Sequence, residues 1–80
     1  MYLEFWRVEA TQDKNGIWHV AELFIDKGRF GGRVIERPII CSPSLDECIE
    51  YCFEHGIDSV FIKRGVDEHG VKYEKIEKRG

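Results

Sequence analysis

Hydrophobic positions along the chain alternate, then fall into a helical stripe, then alternate again. Leu3–Thr11 and Trp18–Asp26 flank the turn signal Asp13-Lys14-Asn15-Gly16, in which Asn-Gly accepts the positive φ angles of a tight hairpin. Taking Asn15 and Gly16 as the two loop residues pairs Trp6 with Ile25, Val8 with Leu23 and Ala10 with Ala21. One side of the hairpin is then wholly apolar. The other side carries Leu3, Phe5, Arg7, Glu9 and Thr11 against Trp18, Val20, Glu22, Phe24 and Asp26. It sets Glu9 opposite Glu22, a like-charge pairing that a diagonal Arg7 would relieve.

A third strand is predicted over Val34–Cys41, where Pro38 lacks an amide donor and demands an edge position or a bulge. Ser44 with Glu47 fits a capping box, with Ser42 before Pro43 as a rival cap. Beyond it Leu45, Cys48, Ile49, Cys52 and Phe53 form one helical stripe. Gly56 ends the helix, and Ile57 folds back on its last turn. Ser59–Arg64 reads as a strand, Asp67–Gly70 as a turn and Val71–Lys78 as a final strand that frays into charge. The expectation is one α+β domain over residues 1–80, of order βββαββ. Its sheet is antiparallel and five-stranded, with the helix on the Trp6/Val8/Ala10 side.

Composition agrees with a single small domain: 80 residues, 42% hydrophobic and 34% charged. The chain is too short for two cores and too apolar for a disordered tail. Apolar runs are short, so neither a membrane span nor a signal peptide is expected. An odd count of three cysteines does not build a secreted disulfide framework and points to a reducing cytosol.

Cys41, Cys48, Cys52 and His55 have the residue types of a zinc site. Cys48 and Cys52, however, sit within the apolar stripe, where a thiol acts as a small hydrophobe, so neither a metal nor any other cofactor is expected. No cysteine, histidine or carboxylate group converges as a catalytic site requires, which favours binding over catalysis.

Charge is unevenly distributed. The net charge is −3, from 12 Lys and Arg against 15 Asp and Glu, which argues against a sequence-blind nucleic-acid coat. Five of the acids (Asp46, Glu47, Glu50, Glu54 and Asp58) fall between Ser44 and Asp58, where there is no Lys or Arg. Asp46 and Glu47 suit the positive helix N-terminus. Asp46, Glu50 and Glu54 repel along one row, an arrangement that fits a basic partner. The loop Lys27–Arg33 is basic and glycine-rich, with Arg29, Phe30 and Arg33 of the kind that grip phosphate and stack a base.

Two functions follow. The first is a protein-interaction module that self-associates, as a dimer, through an aromatic sheet side of Phe5, Trp18, Val20 and Phe24, with Asp46, Glu50 and Glu54 as an acidic contact. One helix covers only one side of a sheet, and contiguous bare aromatics mark an interface. The second is single-stranded nucleic-acid binding on the same side, with Arg7, Arg29, Phe30, Arg33 and Lys63 as contacts. In size and acidity alone, the chain is similar to small phage-encoded proteins that block host defence nucleases. That resemblance implies an inhibitor occupying a basic groove.

Overall fold

The computed structural model describes residues 3–28 and 32–79. Five strands and one helix follow in the expected order: β1 (Leu3–Gln12), β2 (Trp18–Asp26), β3 (Arg33–Ser42), α1 (Leu45–Glu54), β4 (Ser59–Asp67) and β5 (Gly70–Glu77). All five strands join one sheet in the order β3-β2-β1-β4-β5.

The sheet is mixed, which corrects the expected antiparallel pairing. β1 and β4 run parallel, with Glu9 beside Phe61 and Ala10 beside Ile62. The two antiparallel pairings β1–β2 and β2–β3 leave β3 pointing the same way as β1. The helix, about 15 Å long at 1.5 Å per residue, carries the chain back across the sheet. β4 therefore starts from the end at which β3 started, and parallel neighbours result.

The β1–β2 turn is one residue longer than its Asn-Gly dipeptide implies. The Asp13 carbonyl accepts from the Gly16 amide at 3.1 Å, and the Asp13 amide donates to the Ile17 carbonyl at 2.9 Å. Within this turn only Gly16 takes a positive φ, +84°, and no described non-glycine residue does. This is a three-residue loop, Lys14-Asn15-Gly16, of the type that ends in a left-handed glycine. A two-residue turn of the Asn-Gly type needs Asn15 at positive φ as well. The Asp13 carboxylate favours the longer loop by accepting from the amides of Asn15 (2.8 Å) and Ile17 (3.0 Å).

One residue in the loop turns β2 over relative to β1. Ala10 pairs with Val20 and Val8 with Glu22, while Glu9 faces Ala21. The expected Glu9–Glu22 opposition does not exist, because the two carboxylates lie on different faces. A bulge between Phe5 and Arg7 then brings Phe5 opposite Phe24.

The core lies between α1 and the sheet. It joins Val8 and Ala10 of β1, Val20 of β2, Val60 and Ile62 of β4, and Cys48 and Cys52 of the helix. Of the predicted capping box one half forms: Ser44 is the N-cap, its Oγ accepting from the Glu47 amide at 3.3 Å, while the Glu47 carboxylate does not return to the Ser44 amide. Ser42 is buried behind it, its Oγ accepting from the Ser44 amide at 3.1 Å and donating to Glu47 at 3.3 Å. At the exit Gly56 has φ +84°, and the Ile57 amide reaches back to the Cys52 carbonyl at 3.0 Å. The tail after β5 does not simply fray. The Lys78 amide donates to Asp58, and its ammonium caps the Phe53 carbonyl at 3.0 Å. A cation there complements the negative helix end.

β3 is an edge strand with an irregularity beside Pro38, meeting both of the alternatives that proline allows. Among the described residues, no helix is long and apolar enough to cross a membrane.

Candidate binding surface on the open sheet face

The four aromatic-side residues do share a face, but it is the face under the helix. Val20 is 2% exposed and belongs to the core, and Trp18 packs against that core half-buried. Phe5 and Phe24 lie farther along the same face, beyond the helix, as an edge-to-face pair 5.7 Å apart. Trp18 and Val20 are therefore sheltered by the protein's own helix, contrary to the expectation of an uncovered patch. The cause is the three-residue loop, which moved the even-numbered residues of β2 to the side of Val8 and Ala10.

The face away from the helix holds a different set. Strand alternation places Arg7, Glu9 and Thr11 of β1 there, with Ala21, Leu23 and Ile25 of β2. Phe61 follows from its place beside Glu9, Lys75 from its pairing with Phe61, and Tyr73 from its pairing with Lys63. No element lies over this face among the described residues, yet Leu23 is only 5% exposed. Its direct neighbour across the ladder is Arg7, whose aliphatic stem can cover it.

Arg7 organises the surface. Its guanidinium carbon lies 4.2 Å from the Trp6 ring centre and 4.5 Å from those of Phe61 and Tyr73. Its Nε donates to Glu9 Oε2 at 2.8 Å, with the two side chains 19% and 12% exposed. Three π faces and a carboxylate thus hold one cation at the middle strand of the sheet. Among the described residues, neither Nη nitrogen has a hydrogen-bond acceptor in the protein. Trp6 and Tyr73 are nonetheless 45% and 39% exposed, and Val34 on the edge strand β3, paired with Ile25 of β2, is also exposed. Nearby, Lys75 bonds Glu77 at 2.8 Å and thereby holds the Glu77 carboxyl below its ordinary value.

Of the predicted residues, Arg7 and Lys63 lie on this face. Arg33 pairs with Asp26 in the row belonging to the helix side. Arg29 and Phe30 lie outside the described residues. Asp46, Glu50 and Glu54 are exposed on the helix. Sequence reasoning placed Trp6 under the helix and passed over Tyr73. The usable signal was Arg7-x-Glu9, a charge pair on one face of an otherwise apolar strand.

Cys48 and Cys52 are fully buried, and Cys41 is exposed. Burial, chiefly, raises the thiols of both core cysteines, that of Cys52 to about 11, with a smaller contribution there from Cys48. No three His, Cys, Asp or Glu side chains among the described residues are grouped to hold a metal ion. Beside the helix exit, a shallow cleft of about 680 Å³ includes Phe5, Trp6, Glu22, His55 and Asp58 in its lining. The His55 ring stacks on Tyr51 at 4.0 Å.

Fold and surface together define a small α+β protein with one sheet face covered and, among the described residues, one bare. The chain matches no known protein-family model, no curated protein and no solved structure.

Proposed function

We propose that the protein is a non-enzymatic interaction module that self-associates through the open face of its sheet, leaving the acidic helix row of Asp46, Glu50 and Glu54 for a basic partner. The observation that carries this reading is the bare face itself, with Trp6, Phe61 and Tyr73 fixed around Arg7. Rings held rigid in this way lose little freedom on binding, which favours their use as anchors. Five strands about 4.8 Å apart and some 9 residues long make a footprint of roughly 700 Å². That approaches the roughly 800 Å² per partner of a standard interface.

Mass in solution over a range of concentrations tests the reading. The wild type is expected as a dimer, and Trp6→Asp and Tyr73→Asp as folded monomers by circular dichroism. A wild type that stays monomeric at every concentration refutes it.

A further inference from the structure

Building on the self-association reading, we propose that two copies pack open face to open face about a two-fold axis at β1. Arg7 of each copy then donates from its Nη nitrogens to Glu9 of the other.

Position supplies the first reason. β1 is the middle strand of the five, so the two faces overlap most fully when the axis passes through it. A two-fold contact must also be self-complementary, each residue meeting its counterpart's partner. Arg7 and Glu9 have opposite charges, stand two residues apart on that strand and project from the same face. Reversing one copy over the other brings each cation to the other's anion.

Hydrogen bonding supplies the second reason. A guanidinium offers five donors in a planar fork, and here one of them, Nε, is used within the chain. The Nη groups keep contact with solvent, since no described side-chain nitrogen or oxygen is both buried and unpaired. A closely packed neighbour would remove that water and leave the donors bare. Truncating one member of such a desolvated pair is costly, so an interface at this spot requires acceptors where the fork points. Glu9 engages Arg7 through Oε2, and its Oε1 is the acceptor that a second copy has to offer. The stacked rings hold the fork in place beforehand, which reduces the ordering needed on association.

A mixing experiment separates this contact from a role within one chain. In Arg7→Glu, acid meets acid across the axis; in Glu9→Arg, base meets base. Each alone is expected to be monomeric at concentrations where the wild type is dimeric. Mixed in equal amounts they restore both attractive pairs, and a heterodimer within about 10-fold of the wild-type Kd is expected. An intramolecular role for the pair cannot be rescued by mixing. Arg7→Gln and Glu9→Gln guard against misfolding of the reversed variants; each should weaken the dimer by about 30-fold or more.

If the wild type dimerises but mixing restores nothing, or the Gln variants match wild type within about 3-fold, the cross-pair is wrong while self-association stands. If the wild type is monomeric throughout, both fall.

Discussion

Truncating Val20 to alanine tests which side of β2 is under the helix. In the structure Val20 is 2% exposed and packs with Val8, Ala10, Val60 and Ile62 beneath Cys48 and Cys52. The change removes two methyl groups, worth about 1.6 kcal/mol by transfer at 0.8 kcal/mol per buried carbon. The cavity left behind adds to this in a core formed by a strand sheet and a short helix, so about 2–3 kcal/mol is expected. An 80-residue domain has a total stability of some 4–12 kcal/mol at ordinary per-residue values, so the variant should still fold. With a urea m-value near 1 kcal/mol/M, the unfolding midpoint should fall by about 2–3 M. Circular dichroism through a urea series measures it, and an unchanged slope shows that the change is one of stability alone. A two-residue Asn-Gly turn would leave Val20 on the bare face, where the same truncation costs under about 0.5 kcal/mol. A midpoint shift that small refutes the register and the placement of the open face together.

Two further tests address the core thiols and the turn. At pH 8 a thiol with a pKa of about 11 is ionised in roughly one molecule per thousand, so Cys52, raised to that value by burial, is expected to resist alkylation. Native protein should label at the exposed Cys41 alone and denatured protein at all three cysteines; fast native labelling of Cys48 or Cys52 counts against the packing. In the turn, the hydrogen bond with His19, at 2.8 Å, contributes most to holding the Asp13 carboxyl below its ordinary 3.8, followed by the Ile17 amide. A lowered folded-state value means stabilisation that is complete above 3.8 and lost as pH falls through the folded value. Asp13→Asn should therefore lower the melting temperature near neutrality, and the difference from wild type should close under strong acid. A gap that persists there shows that the carboxylate charge is not what matters.

Much of the architecture was legible because its signals are local. Ser44, Glu47, Gly56 and Ile57 mark the helix ends through bonds spanning a few residues. The Ser44 cap on the Glu47 amide and the return of Ile57 to Cys52 form as the spacing implies, while the Ser44 amide bonds Ser42 instead of closing the capping box with Glu47. Pro38, lacking an amide proton, required an edge position or a bulge in β3, and the strand has both. The candidate surface was less legible. Arg7 was singled out, but Trp6 was assigned under the helix because simple alternation gave no sign of the bulge beside it. Tyr73 reaches the surface through the β4–β5 pairing, whose register shifts between Lys63 and Gly65; strand composition does not reveal that shift.

By itself the sequence determined six elements, their order and the identity of the helix stripe, since capping, periodicity and glycine conformation act within a turn or a strand. Tertiary structure decided which face of β2 is buried and which way β4 runs past β1. Both faces of β2 are apolar enough to enter a core: Trp18, Val20 and Phe24 on one, Ala21, Leu23 and Ile25 on the other. Periodicity therefore could not choose between them. The choice came from the Asp13 carboxylate holding the longer turn and from a helix that crosses the sheet to cover Val20 instead of Leu23.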